Sequence, residues 1–305
     1  MDTINTGLTQ RGLNALFFPA LASATALWRE LCSVVNSDGA SEIYKWLGML
    51  PMPNEWRGAR RSKGLRDYGM TLVNKHWEAM VEIDRDEEED DQTGQLKIRV
   101  GEMAQRFAQH PDKILFDLIN AGDSTLCYDG QYFFDTDHAE GDSGTQSNLL
   151  TVDIATPAAP TRDEFKTAFW TAIKALAAFK DDQGEPWNLF QSFEDLKGIA
   201  CAVPVSMLDV ASDVLGANAA PLIANTTNTL AGRAKVISSP RINWTTKFAI
   251  FKTDDSMRPF IFQNRKAVKT DYKDDPEQKT KKYMADGRYN VGYGLWQKAV
   301  MVSFT

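Results

Sequence analysis

Residues 41–83 read SEIYKWLGMLPMPNEWRGARRSKGLRDYGMTLVNKHWEAMVEI, and this stretch decides the fold of the chain. Strand-like apolar runs at 46–50 and 70–83 flank a turn around Pro51 and Pro53 and a glycine-containing basic segment at 57–66. Two such runs on either side of a polar tip predict a long β-hairpin. Because its tip has little apolar surface, we expect the hairpin to lean on another surface rather than on its own body.

Charged residues are segregated around this hairpin. Five cations lie at its tip, and seven acids follow its second strand at 84–91. The acids suit the N-terminus of a helix, where the macrodipole favours negative charge, yet so many close together repel one another. We predict that a neighbouring copy of the chain brings its arginines to these acids. The predicted contact residues, with one aromatic anchor among them, are Trp56, Arg57, Arg60, Arg61, Lys63, Arg66, Asp84, Asp86, Glu87, Glu88, Glu89, Asp90 and Asp91.

Two other interpretations of these charges stay open. The two runs could be independently solvated, since exposed ion pairs contribute only about 0 to 1 kcal/mol each. The basic tip could instead contact DNA phosphates, although five cations beside an excess of acids make a weak patch.

Helical periodicity follows the acids. Apolar residues recur at steps of four, three and four from Leu96 to Phe107, so a helix is predicted from Asp84 onward. The residue before a proline disfavours the helical conformation, so we expect this helix to end at His110 and a second helix to begin at Pro111.

The remaining elements alternate in type. Thr161 and Glu164 have capping-box spacing, which predicts a helix that ends near 181–184. A buried strand is predicted at 199–203, then a helix opened by Pro204 and closed by Gly216, and a surface loop at 217–232. Strands are predicted at 234–239, 247–252, 259–263 and 282–304. The fold class is therefore α+β, with grouped helices and a mainly β C-terminal third.

Composition narrows the class of protein. The chain has 305 residues, 43% of them hydrophobic, which is typical of a globular protein. A formal net charge of −7 argues against a protein whose main role is to grip nucleic-acid phosphates. The three cysteines lie far apart, which fits reduced thiols rather than a disulfide framework.

An apolar segment at 13–28 raises the question of export. Its mid-segment Pro19 and the polar residues before it argue against a signal peptide, and at about 16 residues it falls short of the ~20 that span a bilayer. We predict an amphipathic arm that packs on another surface, and no membrane partner.

One loop could support enzyme chemistry. Asp135, Asp137 and His138, with Asp142 nearby, could hold a divalent ion, which leaves a metal-dependent hydrolase as an alternative. Their spacing matches no metal motif, and such residues in a glycine-rich loop are more often turn formers. Cys127 has no nearby basic residue to lower its pKa. No nucleotide, hydrolase or kinase signature occurs, so we expect no enzyme activity, no metal and no cofactor.

Several short blocks, taken together, carry a specific resemblance. The blocks at 46–51, 55–56, 74–78 and 84–91 are joined by CYDGQ at 127–131, FFDTDH at 133–138, RPFIFQ at 258–263 and GYGLWQ at 292–297. With them, the chain from about residue 40 onward resembles the major head subunit of Mu-like transposable phages.

That resemblance implies a Hong Kong 97-type capsid fold. On this chain it implies an N-terminal arm at 1–39 and an extended hairpin loop at 40–83. A peripheral domain at 84–185 would contain a spine helix at about 84–110, an axial domain would occupy 186–256, and residues 257–305 would return to the peripheral domain as mainly β structure.

The implied function is that of a major capsid protein. Copies would assemble into hexamers and pentamers of an icosahedral head around double-stranded DNA, without sequence-specific binding, in the cytoplasm of a host bacterium. A scaffolding protein and a portal would be partners, and the 217–232 loop would approach the capsomer axis. A non-viral nanocompartment shell of the same fold is the remaining alternative.

Overall fold

The structure is a computed structural model that describes residues 10–45, 69–86, 95–216, 228 and 230–305. Its helices are α1 Gln10–Ser23, α2 Trp28–Leu31, α3 Gln95–Asn120, α4 Arg162–Ala178 and α5 Leu208–Leu215. Its strands are β1 Cys32–Asn36, β2 Ser41–Tyr44, β3 Met70–Val73, β4 Lys75–Asp84, β5 His138–Ala139, β6 Thr145–Gln146, β7 Leu149–Val152, β8 Ile199–Val203, β9 Lys235–Ser238, β10 Lys247–Lys252, β11 Phe260–Asp275, β12 Thr280–Tyr293 and β13 Ala299–Phe304. The predicted α+β class is confirmed.

A four-stranded sheet with the order β1-β11-β12-β4 forms one half of the molecule. The long strands β11 and β12 are antiparallel, β4 is antiparallel to β12, and β1 is parallel to β11. Side chains alternate along β12: Tyr283, Ala285 and Tyr289 are buried, whereas Met284 and Asp286 between them are partly exposed. This alternation buries one face of the sheet beneath helices and leaves the other accessible.

Helix α3 covers the buried face of this sheet, and the predicted break at His110 is wrong. The helix runs through Pro111 to Asn120. A proline inside a helix removes one backbone hydrogen bond, but Leu115, Phe116 and Ile119 beyond it are completely or almost completely buried. Packing of that apolar turn outweighs the local penalty.

The predicted helix start at Asp84 is off by one residue, because Arg85 and Asp86 are helical whereas Asp84 still belongs to β4. Asp84 is the last residue of β4, and α3 begins at Gln95. Cross-strand pairing of β4 with β12 continues to the pair Asp84–Thr280, so the sheet rather than the helix takes this residue. Residues 87–94 lie outside the described residues.

The N-terminal segment packs on the body, and its predicted amphipathic character is confirmed. Leu13 and Phe17 of α1 are fully buried against α3 and the long sheet. The Asp112 carboxylate of α3 accepts hydrogen bonds from the backbone N–H groups of Leu27 (3.1 Å) and Trp28 (2.7 Å). Within the ranges that the structure describes, no helix is long and apolar enough to cross a membrane.

A five-stranded sheet with the order β7-β13-β10-β8-β9 forms the other half, beneath α4 and α5. The predicted capping box at Thr161 and Glu164 is present at the start of α4, and the predicted strand at 199–203 is β8, buried throughout. The helix after Pro204 begins as a short 3₁₀ turn. The predicted strand at 282–304 is instead two strands, because a 3₁₀ turn at Trp296–Lys298 moves the chain from one sheet to the other.

Candidate functional site

The root of the predicted hairpin is present in the structure. Strands β2 and β3 pair antiparallel, with Ser41 opposite Val73 and Tyr44 opposite Met70. The tip itself, residues 46–68, lies outside the described residues, and so do the predicted contact residues in it. These are Trp56, Arg57, Arg60, Arg61, Lys63 and Arg66.

A buried polar network fixes this root to the four-stranded sheet. The Tyr44 hydroxyl donates to Gln263 Oε1 (2.7 Å), and Gln263 Nε2 donates to the Leu72 carbonyl (3.1 Å) and Asn74 Oδ1 (2.8 Å). Asn74 Nδ2 donates to Ser37 Oγ (2.8 Å). Burial raises the pKa of Tyr44 to about 12, so its hydroxyl remains a donor at any physiological pH. The direction in which the hairpin leaves the body is therefore set by buried hydrogen bonds.

The outer face of the root is apolar and exposed. Ile43 and Val73 lie on the face opposite Tyr44 and Leu72, and 57% and 55% of their surfaces are accessible. Two exposed aliphatic side chains therefore share one face of this small sheet.

The acidic end of β4 lies next to the turn between β11 and β12. Arg85 donates its backbone N–H to the Lys279 carbonyl (2.9 Å), and its guanidinium pairs with Asp274 (2.6 Å). Asp84 and Asp86 belong to this end, whereas the other predicted acids, Glu87, Glu88, Glu89, Asp90 and Asp91, lie outside the described residues. Their predicted contact with arginines of another copy stays a prediction.

A groove of about 360 Å³ lies between β4 and α3. Its apolar lining includes Trp77, Met103 and Phe107, and the Trp77 indole N–H donates to the Tyr289 carbonyl (3.0 Å). The His110 ring packs 4.3 Å from the Trp77 ring, and burial, followed by Lys113 and Arg241, lowers the pKa of this histidine. This groove was not predicted, because its two walls, β4 and α3, come together only when the helix packs on the sheet.

The polar side chains of Asp135 and His138 already have hydrogen-bond partners within the protein. His138 is fully buried, with Nδ1 2.6 Å from Asp129 Oδ2 and its ring stacked 4.0 Å from the Trp296 ring. The Asp135 carboxylate accepts the backbone N–H of Thr136 (2.7 Å) and of Tyr132 (3.1 Å). These contacts are those of turn formation.

The structure supports neither a metal site at Asp137 nor a reactive thiol at Cys127. Asp137 accepts a hydrogen bond from the Gln131 amide (3.2 Å), and no group of three or more His, Cys, Asp or Glu that could hold a metal ion occurs in the described ranges. Burial raises the pKa of the Cys127 thiol well above its usual value, which opposes a nucleophilic thiolate. The geometry therefore does not favour the metal-dependent hydrolase.

A second buried hydrogen-bond network, which was not predicted from the sequence, joins this loop to the segment around Trp296 and Gln297. Glu140 accepts hydrogen bonds from the Tyr128 hydroxyl (2.5 Å), the Trp296 indole (2.9 Å) and the Gln297 amide (3.1 Å). Burial raises the pKa of the Glu140 carboxyl, and the three donors only partly offset that effect. The Trp296 side chain is fully buried in this network.

Comparison with known proteins identifies the family. The family model described as Mu-like prophage major head subunit gpT matches residues 7–160 and 243–304, which is more than two thirds of the chain. A major head subunit of the Mu-like prophage FluMu from Haemophilus influenzae is 38% identical over 141 residues, 46% of each protein. The major capsid protein of Escherichia phage Mu is 38% identical over 122 residues, 40% of each. The matched regions thus span less than half the length of these curated relatives.

Solved structures share the fold at lower identity. A chain of the bacteriophage JBD30 procapsid has a TM-score of 0.55 at 24% identity, covering 95% of this chain and 72% of its own. A chain of the bacteriophage PhiM1 mature capsid has a TM-score of 0.58 at 10% identity, covering 100% and 90%. A virus-like particle from Pyrococcus furiosus has a TM-score of 0.55 at 9% identity, covering 96% and 98%. The Hong Kong 97-type fold is confirmed, and the chain belongs to the family of Mu-like prophage major head subunits, gpT.

Proposed function

We propose that this chain is a major capsid protein whose copies assemble into hexamers and pentamers and close an icosahedral head around double-stranded DNA. Membership of the major head subunit family, together with a capsid fold, carries this proposal. The protein performs no chemical reaction in this role. Its function lies in the contacts between copies.

The domain layout follows the same proposal. Residues 1–39 form the N-terminal arm, 40–83 the hairpin loop, 84–185 the peripheral domain and 186–256 the axial domain, while 257–305 return to the periphery. The pairing of β11 and β12 with β4 supports this return, because it joins residues 260–293 to residues 75–84. The 217–232 loop approaches the capsomer axis; most of it lies outside the described residues.

The hairpin connects neighbouring copies. Its root is held rigidly by the Gln263 network while Ile43 and Val73 stay exposed, an arrangement that suits an arm supported on an adjacent subunit. Trp56 anchors the arm there, and the arginines at 57–66 lie near the acids at 84–91. Many such weak contacts per subunit stabilise a closed shell by multivalency, without any one of them being strong.

The remaining partners follow from the role. The net charge of −7 suits a container wall that must not bind its packaged polyanion tightly. A scaffolding protein and a portal take part in assembly, the subunit is made in the cytoplasm of a host bacterium, and the finished protein resides in the virion capsid.

Charge reversal tests the contact. In the double variant Arg60→Glu, Arg61→Glu, we expect a folded subunit but a reduced yield of particles in electron micrographs. Salt screens attraction between exposed charges, so the deficit relative to the natural chain should shrink at high salt. The double variant Lys174→Glu, Lys180→Glu changes the net charge equally on a surface outside the hairpin, and it should leave the yield unchanged. A normal particle yield from the arginine variant would reject the charge contact.

A shell that encloses protein rather than DNA is the second candidate. The likeness to the Pyrococcus furiosus virus-like particle supports a shared container architecture but says nothing of the contents. Nuclease-protected DNA in purified particles from infected or induced cells would support the head; a cargo protein in its place would support the second candidate.

A further inference from the structure

Three cations lie in one line along the exposed side of α3. Arg99, Arg106 and Lys113 follow one another at intervals of seven residues, close to two helical turns, so their side chains leave the helix in nearly the same direction. All three are exposed. At a rise of 1.5 Å per residue, neighbouring members are about 10 Å apart and the row is about 21 Å long. We call this row the α3 stripe.

The cations of the α3 stripe are unpaired within the part of the chain that the structure describes, although Glu102 lies between two of them in the helix. By contrast, Arg85 and Arg162 elsewhere on the surface each pair with an aspartate. The other exposed residues of this helix segment are Gln105 and Gln109, whose amides are further hydrogen-bond donors. This side of α3 therefore presents positive charge and donors, with a single exposed acid among them.

A fourth cation extends the positive surface at the end of α3. The Asn120 amide donates to the Arg241 carbonyl (2.8 Å), which holds the exposed Arg241 beside the helix. Burial, followed by the charges of Lys113 and Arg241, lowers the pKa of His110, so both cations lie close enough to act on the same ring. Positive charge is thus concentrated here in a chain whose formal net charge is −7.

The α3 stripe and the hairpin root lie on opposite sides of the four-stranded sheet. Gln263 of β11 bonds the Leu72 carbonyl of the root. Its neighbour Phe262 packs on Tyr289 (5.5 Å between ring centroids), and Tyr289 packs on Phe107 of α3 (6.4 Å). Successive side chains of a strand point to opposite faces, so α3 covers the face away from the root.

We propose that the α3 stripe contacts the phosphates of packaged double-stranded DNA, so that this side of the subunit lines the inside of the head. This inference rests on the proposed function, because it names the surface that meets the contents of the shell. Duplex DNA carries one negative charge per about 1.7 Å of its axis, so about 12 phosphate charges fall along the length of the stripe. The contact needs no fixed register and no particular base sequence.

The spacing of the stripe favours DNA over an acidic protein segment. Its cations are about 10 Å apart, beyond the screening length of about 8 Å at physiological salt, so one carboxylate does not neutralise two of them. A protein partner would need a matching row of acids, whereas a duplex offers phosphates at every position. Phosphate oxygens also accept hydrogen bonds from glutamine amides such as those of Gln105 and Gln109. The acidic remainder of the chain keeps the contact weak.

Acetylation of lysines in intact particles tests this assignment. Particles purified from infected or induced cells are compared with the same particles emptied of DNA and treated with nuclease. An N-hydroxysuccinimide acetate ester modifies free lysine amines, and mass spectrometry follows the rate at Lys113. Lys174 of α4 is the internal control, because it is also exposed but does not belong to the α3 stripe.

Phosphates favour the unreactive ammonium form and block access to it, so we expect acetylation of Lys113 to be about fivefold slower in filled than in emptied particles. The rate at Lys174 should change less than about twofold. Equally fast acetylation of Lys113 in both would show that DNA does not touch the stripe. Equally slow acetylation in both would show that protein covers it. Either result would overturn the inference and leave the proposed function standing, whereas particles without nuclease-protected DNA would overturn both.

A charge variant tests whether the three cations act as one surface. In Arg99→Gln, Arg106→Gln, two of the three contacts are lost, and the slowing of Lys113 by DNA should fall to about twofold or less. The control Lys166→Gln, Lys180→Gln removes two exposed cations outside the stripe and should keep the full effect. Full slowing in the arginine variant would contradict a shared surface. The measurement on the natural chain decides the proposal even if the variant forms no particles.

Discussion

Two lysines lie in nearly dry surroundings beside the 3₁₀ turn that joins the two sheets. The side chains of Lys252 and Lys298 are only 5% and 6% exposed, and both ammonium groups pair with Asp255. Lys298 also donates to Asn188 Oδ1 (2.9 Å). Burial lowers the pKa of Lys298, while its bond to Asp255 opposes that effect. Lys252 also pairs with Asp254, so two carboxylates neutralise the two buried charges, and Asp255 is the counter-ion of Lys298.

Removing that carboxylate should destabilise the subunit. In Asp255→Asn, Lys298 would lose its counter-ion while Lys252 keeps Asp254. We expect the free energy of unfolding to fall by about 2 kcal/mol, less than for a fully buried pair because Asp255 is partly exposed. The control Asp213→Asn breaks an exposed pair with Arg162 and should cost about 0.5 kcal/mol or less. Urea unfolding of unassembled subunits, followed by tryptophan fluorescence, measures both. Equal stability of the two variants would contradict this account.

The pH dependence of the same variant has a definite sign. Burial raises the pKa of Asp255, but the hydrogen bond and charge of Lys298, aided by Lys252, outweigh it and hold that pKa below its usual value. A lowered folded-state pKa gives stability that is present above the ordinary aspartate pKa of about 3.9 and is lost as the pH falls through the folded-state value. The difference between the natural chain and Asp255→Asn should therefore shrink in acid.

Among individual residues, contacts between neighbours in the sequence could be predicted, whereas contacts between distant residues could not. The reciprocal bonds of Thr161 and Glu164 lie within one helical turn, so spacing alone reveals them. His138 also has nearby partners, but Trp296, on which it stacks, is far away in the chain. Only the folded structure shows that the polar groups of this loop have partners within the protein. The sequence alone therefore could not decide against a metal site there.

The hairpin root is the element whose rigidity matters most for assembly. Gln263 bonds three groups that belong to β2, β3 and the residue after β3. A buried donor or acceptor left without a partner costs about 1 to 3 kcal/mol. The root should therefore loosen when this glutamine is lost, even if the rest of the subunit stays folded.

We expect Gln263→Leu to speed hydrogen exchange of the amides at 70–74 by at least tenfold and to lower the particle yield. Exchange measured by mass spectrometry on the unassembled subunit separates the local effect from assembly. Gln278→Leu, in the exposed turn between β11 and β12, serves as the control and should change neither quantity. Unchanged exchange at 70–74 in the Gln263 variant would show that the network does not hold the root.

Helix α3 shows why element boundaries were harder to predict than element types. The apolar spacing from Leu96 to Phe107 correctly predicted a helix, but Pro111 does not end it. An interior proline costs ~3 kcal/mol in a helix, and the burial of Phe116 and Ile119 against the body is of comparable size. This stabilisation comes from tertiary contacts. The local conformational preferences of His110 and Pro111 give no information about them.

For the whole molecule, a resemblance spread over many short blocks predicted the family and the capsid fold, and both are confirmed. The groove beside β4 was not predictable, because it forms only when α3 packs across the edge of a sheet whose strands come from distant parts of the chain. The shared face of Ile43 and Val73 was not predictable for a similar reason, since only the pairing of β2 with β3 places them side by side.

Mass measurement of the purified natural chain tests the central claim most directly. Sedimentation velocity over a range of concentrations should resolve closed particles of megadalton mass and small oligomers derived from them, because a hairpin supported on a neighbour is completed only in an assembly. A single species with the 34.1 kDa mass of one chain at every concentration, with the hairpin protected from proteolysis, would contradict the account.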